Sequence, residues 1–357
     1  MISTKQFVFK ELSAAQESGV FISGQELAEK CGVSRTAVWK AIKALAKDGI
    51  KIEGVTNRGY RLENSEENLS LSAMESFVLP KDGIRFCVYD RLDSTNLEAK
   101  RLCAQAGILR DTLGALTPEG KKLHKLVIIA NEQTAGRGRL GREFYSPAKT
   151  GVYLSMIYIP QKNLVHPAKM TASAAVAVCR VFKRLYKAEP KIKWVNDIFV
   201  NGKKVCGILT EGITDFETGR IEATVIGIGI NIYEDAKGFP ARIADTAGSI
   251  LGTKGEPAKR NELAAQTALE LSHIYAEQEN DPLSSEAKDI ISEYKQLNFL
   301  LGKTLEITPV IGVEEKYTAK AVDITEDAAL VVKKSDGTYQ TLQSGEVSLY
   351  SKNFLSF

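Results

Sequence analysis

Residues 132–142 read Glu-Gln-Thr-Ala-Gly-Arg-Gly-Arg-Leu-Gly-Arg, with Arg137, Arg139 and Arg142 set among Gly136, Gly138 and Gly141. Glycine lets a backbone approach a ligand closely, and the guanidinium fork matches carboxylate and phosphate geometry. An apolar run, 126–130, precedes the stretch and reads as a buried strand. These residues predict a loop that closes over an anion. The same glycines fit G-x-G-x-x-G, but a dinucleotide fold needs the third glycine to open a helix. Glu143-Phe144-Tyr145-Ser146-Pro147 follows instead, which is no helix start, and the chain contains no G-x-x-x-x-G-K-[ST] phosphate loop.

Three further groups could take part in chemistry. Asp93-Ser94-Thr95-Asn96 follows a strand-like run, 85–90, and precedes a helix expected from Leu97. Thr95-x-x-Glu98 fits a capping box, and the amides and hydroxyls at such an end can also hold a polar ligand. Lys193-Trp194-Val195-Asn196-Asp197 leads into a strand, 198–200, and Asn201-Gly202 signals a tight hairpin returning through 203–209. Alternation on the return strand puts Lys204 on the face of Cys206 and Ile208, where it needs an anionic partner or must snorkel from an edge. Asp197 could cap, pair with Lys204 or hold a metal. Gly227 and Gly229 interrupt the apolar run 224–232, which ends at Asn231, and suggest close approach of a ligand or another backbone.

The elements that must position these residues follow from pattern. At 357 residues, two or three domains are expected. No apolar run reaches the roughly 18 residues of a membrane span, and the start lacks a signal-peptide pattern. The five cysteines, scattered, odd in number and without C-x-x-C spacing, argue against a disulfide framework or a thiolate zinc site and fit a reduced, cytoplasmic protein. The histidines, His124, His166 and His273, are too dispersed for a local metal motif. Segments 168–186 and 259–278 are helical by period, 112–125 reads as a polar surface loop, and 63–72 reads as a linker.

Residues 1–62 carry their own pattern. An amphipathic stretch, 5–17, ends near Gly19; a short helix, 25–30, then meets the turn Cys31-Gly32-Val33, and Ser34 caps a second helix. Val38, Ile42 and Leu45 form the core stripe of that helix, and Arg35, Thr36, Lys40, Lys43 and Lys47 lie opposite, with Trp39 at the edge. Asp48-Gly49 ends it, and 50–62 reads as a hairpin turning at Asn57-Arg58-Gly59. Helix, glycine turn, basic helix and Arg-tipped hairpin make a winged helix-turn-helix, with Ser34, Arg35, Thr36, Lys40, Lys43 and Arg58 as the DNA-facing candidates.

Taken together, the motifs resemble the bifunctional, repressor-type biotin–protein ligases over the whole chain. The resemblance rests on Asp93-Ser94-Thr95-Asn96, on Gln133 through Arg142, on Lys193-Trp194-x-Asn196-Asp197 and on Lys204-Val205-Cys206-Gly207-Ile208-Leu209. Gly229-Ile230-Asn231 and Gly345-Glu346-Val347-Ser348-Leu349 extend it. It implies an α+β multidomain chain. Residues 1–64 would form a winged helix-turn-helix, 65–300 a mixed α/β domain of the biotin/lipoate ligase type, and 301–357 a small SH3-like β-barrel. It implies two steps: biotin and ATP give biotinyl-5′-AMP, and a lysine of the biotin carboxyl carrier protein of acetyl-CoA carboxylase then takes the biotinyl group.

By resemblance, Ser94, Thr95, Asn96, Gln133, Gly136, Arg137 and Gly207 bind biotin. Arg139, Arg142, Lys204 and Asn231 bind the nucleotide, and Lys204, Arg139 and Asp197 are catalytic. Asp197 orients or activates the incoming lysine or binds Mg²⁺. The Arg/Gly loop would be disordered without ligand and ordered over the adenylate. Adenylate binding would promote a homodimer on a double-stranded DNA operator. The chain departs from the family at Val195, usually Pro, and at Tyr350, where related chains can carry Arg. A ligand-sensing DNA-binding regulator with a catalytically weak ligase-like domain, or a lipoate or octanoyl ligase, would share much of this pattern.

Overall fold

The computed structural model describes residues 3–15, 19–47, 50–62, 69–160, 167–214, 219, 221–253, 258–281, 284–308, 315–343 and 346–349. Asp48-Gly49, His166, Gly345, Tyr350, most of the expected linker and the division at 64/65 lie outside them.

The N-terminal unit is a helix-turn-helix with a wing, as its pattern requires. Helix α1 (Thr4–Ala14) opens on a capping box in which Ser3 and Gln6 bond reciprocally. Helix α2 (Gly24–Cys31) ends at Gly32, whose left-handed conformation turns the chain into α3 (Arg35–Lys47). Val38, Ile42 and Leu45 are buried with Val8, Leu12 and Leu27 in one small core. Strands β1 (Ile52–Val55) and β2 (Gly59–Leu62) form the wing. Gly59 is obligatory there: at φ +108° a Cβ would lie 2.1 Å from the Ile22 carbonyl oxygen, which accepts the Tyr60 N–H. The unit docks through α4 (Leu71–Glu75): Gln6 Nε2 donates to the Glu75 carbonyl, and Phe9 meets Phe77 edge to face.

The central sheet runs in the order β3 (Arg85–Leu92), β4 (Leu126–Gln133), β5 (Gly151–Tyr158), β9 (Ile221–Asn231), β8 (Lys203–Thr214), β7 (Asp197–Val200), β6 (Lys191–Lys193). Only β3 and β4 are parallel, joined through α5 (Thr95–Ala106) and α6 (Pro118–Leu123). Helices α7 (Pro167–Tyr186) and α9 (Arg260–Asn280) cover one face and α5 the other. A small helix, α8 (Ala241–Ala244), follows β9, and α10 (Ser285–Leu297) packs beside α7. Strand β5, with all eight residues buried, has no period and is marked only by an apolar run of the kind seen at 126–130, which the sequence reading did not pick out. The segment read as a surface loop, 112–125, contains α6. Thr117 caps it by accepting the Gly120 N–H, Pro118 starts it, and Gly120 packs too closely on the Leu109 carbonyl for a side chain.

The C-terminal unit is a small antiparallel sheet of the SH3-like kind, ordered β13 (Tyr339–Leu342), β12 (Leu330–Lys334), β11 (Tyr317–Ile324), β10 (Thr304–Thr308), β14 (Glu346–Leu349). Its buried residues, among them Leu305, Ala321 and Leu330, belong to the same continuous apolar cluster as α7 and α9. Trp194 Nε1 donates to the buried Ala328 carbonyl, and Tyr294 OH donates to that of Val195. The turn before Asp197 is thus held from two sides. No helix among the described residues is long and apolar enough to cross a membrane.

Candidate active site

A cavity of about 520 Å³ lies where the N-terminus of α5, the Arg/Gly loop, the ends of β7, β8 and β9, and the C-terminal sheet meet. Every residue expected at a ligand site lines it except Gly136. Gly136 is buried where the two arms of the loop cross. Its carbonyl accepts the Phe144 N–H, and a Cβ would come within 2.4 Å of the Phe144 carbonyl oxygen. The absence of a side chain there lets the loop close on itself.

The expected capping box is absent. Helix α5 starts at Thr95 with Ser94 in the cap position, and Ser94 makes no side-chain cap bond. Thr95 turns inward: its N and Oγ1 lie 2.8 and 3.1 Å from Gln133 Oε1, and its Oγ1 lies 2.7 Å from Ser155 Oγ. Ser94, Thr95 and Asn96 are all nearly sealed from solvent yet line the cavity. The helix end is held by Asp93 instead, whose Oδ1 accepts the Ser94 N–H. The Arg101 guanidinium holds the Asp93 carboxyl down at about 2, so this cap stays ionised.

Lys204 faces the cavity, and the simple alternation fails. A bulge between the pairs Ile198–Cys206 and Phe199–Lys204 inserts Val205, so Val205 and Cys206 both enter the core while Lys204 joins the cavity side with Gly207. Its Nζ lies 2.7 Å from Asp197 Oδ1, an ion pair about three-quarters enclosed. Of the three readings open for Asp197, pairing is the one the geometry displays. The backbone of Lys204 is clamped as well: its N–H donates to Thr246 O and its carbonyl accepts from Gly248. Asn231 ties the same segment down by donating to the Gly248 carbonyl at 3.0 Å.

The loop reaches across to this pair. Arg139 Nη1 donates to Asn196 Oδ1 at 3.1 Å, and Asn196 Nδ2 donates to the Ile208 carbonyl. Arg137, Arg142 and the half-exposed Leu140 edge the mouth. Phe144 and Tyr145 were not foreseen. Gly207 and Gly229 are direct cross-strand partners, and the Phe144 ring lies in the slot they leave: a Cβ at Gly229 would sit 2.5 Å from it. Opposed strand glycines beside an aromatic in a polar loop were the available signal. Tyr145 OH donates to Asp235, which pushes the phenol up to about 12 and keeps it neutral. Glu306, Thr308, Lys316 and Val347 close the cavity from the C-terminal sheet, and nothing local in the sequence announced them.

The second candidate surface is the outer face of α3. Arg35, Thr36, Lys40 and Lys43 are exposed, and Ser34 Oγ accepts the Ala37 N–H as an N-cap. Trp39 is 47% exposed with Lys43 Nζ 4.0 Å from its ring centre, so it lies within the basic face and not at its edge. Arg58 and Arg61 both stack on Phe21, each 4.6 Å from the ring centre, which ties the wing to the chain before α2. Replacing Arg58 by Ala is expected to weaken binding to any duplex by a similar factor. It should also reduce the salt slope of log K by about one, measured by fluorescence anisotropy across a salt series. A loss confined to one DNA sequence would instead make Arg58 a base reader.

Comparison with known proteins matches three family models in chain order: "HTH domain" over residues 9–61, "Biotin/lipoate A/B protein ligase family" over 88–231 and "Biotin protein ligase C terminal domain" over 310–350. The bifunctional ligase/repressor BirA of Bacillus subtilis is 37% identical over 248 residues, 69% of this chain and 71% of that one. The Escherichia coli protein of the same name is 28% identical over 342 residues, 96% and 97% of the two chains. Among solved structures, a biotin protein ligase from Aquifex aeolicus in complex with biotin and ATP has a TM-score of 0.57 at 23% identity, covering 74% of this chain and 97% of that one. That likeness bears on the fold.

Proposed function

Because the chain belongs to the bifunctional biotin ligase/repressor family, we propose that it is a biotin–[acetyl-CoA-carboxylase] ligase that also represses transcription through its winged helix. The observation that carries the catalytic half is the convergence of Thr95, Gln133, Arg139 and the Lys204–Asp197 pair on one cavity. In the first step a biotin carboxylate oxygen forms a bond to the α-phosphorus of ATP and pyrophosphate leaves. Two anions must be brought together, so fixed cations and donors are the catalytic requirement. Arg139, Arg142 and Lys204 meet it from two sides. In the second step a carrier lysine attacks the biotinyl carbonyl, the amide forms and AMP leaves.

Asp197 fits an orienting role in the first step, since it holds Lys204 in place. Once phosphate oxygens engage Lys204, the same carboxylate is left to attract the ammonium of the incoming carrier lysine. A resident Mg²⁺ does not fit the residues present. Among the described residues no three Asp, Glu, His or Cys side chains gather into a metal site, and Asp197 is occupied by Lys204. Mg²⁺ enters with ATP as a counter-ion of its polyphosphate. Ser94, Thr95, Asn96, Gln133, Arg137 and Gly207 form the biotin side of the cavity, and Asn231 shapes the nucleotide side.

The adenylate-loaded chain then has two fates in the cytoplasm: a biotin carboxyl carrier protein, or a second copy of itself on an operator with two half-sites. Both draw on one liganded state, so carrier and DNA compete for it. The test is incorporation of labelled biotin into an apo carrier domain with ATP and Mg²⁺. ATP-dependent label on the carrier lysine is expected. Tight biotin binding without transfer would make the chain a ligand sensor, and absence of binding would overturn the substrate.

A further inference from the structure

Beneath the cavity a chain of side chains links surface to ligand site: Lys100, Glu211, Asn96, Ser155, Thr95, Gln133. Lys100 Nζ lies 2.6 Å from Glu211 Oε1, and Asn96 Nδ2 donates to Glu211 Oε2 at 2.8 Å and to the Leu209 carbonyl. Both partners of the Asn96 nitrogen are acceptors, and one is a carboxylate. This fixes the amide: nitrogen toward Glu211, oxygen toward Ser155. Ser155 Oγ lies 2.5 Å from Asn96 Oδ1 and 2.7 Å from Thr95 Oγ1, fully buried. Asn96 Oδ1 can only accept, so the single Ser155 proton goes there. Thr95 must then give its own proton to Ser155. Gln133 is fixed from its other end, with Oε1 accepting the Thr95 N–H and Nε2 donating to Ser146.

With the Thr95 proton committed to the shorter contact, Thr95 Oγ1 and Gln133 Oε1 stand 3.1 Å apart as two acceptors. Such a pair is satisfied by an N–H donor placed between them. We propose that Glu211, held by Lys100 and acting through Asn96 and Ser155, is a positioning residue. It sets the proton direction of this relay, so that Thr95 and Gln133 meet the ligand as acceptors and select a ureido N–H. Gly227 leaves the space the amide occupies: a Cβ there would lie 2.0 Å from Asn96 Oδ1. The inference rests on the biotin reading above. A flipped Asn96 would set its oxygen against the Glu211 carboxylate and its nitrogen against Ser155, reversing every donor up to Thr95.

The experiment compares affinities for biotin and for the two biotins methylated on one ureido nitrogen, by calorimetry, in wild type and three variants of the full chain. Glu211→Leu leaves an Asn96 donor without its carboxylate and should lose about 10- to 100-fold in biotin affinity. The preference for biotin over at least one methylated analogue, present in wild type, should collapse with it. Asn96→Asp sets two carboxylates face to face and should lose at least as much. Asn96→Asp combined with Glu211→Gln exchanges carboxylate and amide and keeps the relay's direction toward Ser155, giving up only the bond to the Leu209 carbonyl, so it should bind biotin more tightly than Asn96→Asp alone and regain the preference. Glu211→Leu binding biotin as wild type does, an unchanged preference, or failure of the exchange to rescue would overturn the inference. A wild-type chain that bound no biotin would overturn the ligase reading, and this one with it.

Discussion

Replacing Lys204 by Ala is expected to slow adenylate formation about 100- to 1000-fold, the usual effect of deleting one preorganised group that stabilises charge in the transition state. Lys204 is well prepared for that role. Its side chain is aimed by the bulge at Val205, its Nζ is held 2.7 Å from Asp197, and its backbone is clamped by Thr246 and Gly248. A lysine that only snorkelled from an edge would need none of these. The substitution also strands Asp197, whose Oδ1 is buried. Some stability should therefore be lost, about 1–3 kcal/mol for an uncompensated buried acceptor. Pairing Lys204→Ala with Asp197→Asn separates the two effects: thermal stability should return and adenylation should not. Single-turnover pyrophosphate release is the measurement. Transfer from preformed biotinyl-AMP to the carrier should fall much less, because the α-phosphate has by then already reacted. A loss under about threefold in pyrophosphate release would remove Lys204 from the catalytic residues.

The features legible in the sequence are those encoded locally. The Asn201-Gly202 hairpin is visible because its two residues both take positive φ, 50° and 72°, which few other pairs tolerate. The stripe Val38, Ile42, Leu45 is visible because a half-exposed helix writes its period into the sequence. Strand β5 has no such period, since it is buried on both faces, and only its apolar run marks it. Thr95 was open to misreading for a related reason. Its hydroxyl is engaged by Ser155 of the underlying strand β5, and that partner outweighs the local capping box with Glu98. The face of Lys204 was misassigned because one bulged residue reverses alternation, and a bulge has no composition of its own. The contribution of Glu306 and Lys316 to the cavity depends on how the C-terminal sheet docks. That docking runs through Trp194 and Ala328, which no spacing rule connects.

Arg139→Gly should leave biotin binding largely in place and shorten the residence of biotinyl-AMP about 10- to 100-fold, the range for losing a hydrogen bond made by a charged group. The reason is geometric. Arg139 is the point where the loop is fastened to the β6–β7 turn, through Asn196 at 3.1 Å, and that turn carries Asp197. Without the guanidinium the loop keeps its own closure at Gly136 and Phe144, and Tyr145 stays bonded to Asp235, but the bond to the turn that carries Asp197 is lost. Water then reaches a mixed anhydride that the closed site would shield. Chasing labelled biotinyl-AMP with excess unlabelled adenylate measures the residence directly. Retention equal to wild type would end the shielding role. Arg139→Lys decides between charge and fork. If phosphate neutralisation is what retains the adenylate, the lysine variant should hold it nearly as long as wild type. If the bond to Asn196 is what matters, a flexible ammonium cannot reproduce the planar fork, and the lysine variant should release the adenylate almost as fast as the glycine one. The second outcome is expected, because Lys193, Lys204 and Arg142 already place positive charge around the same cavity while Arg139 makes the bond to Asn196.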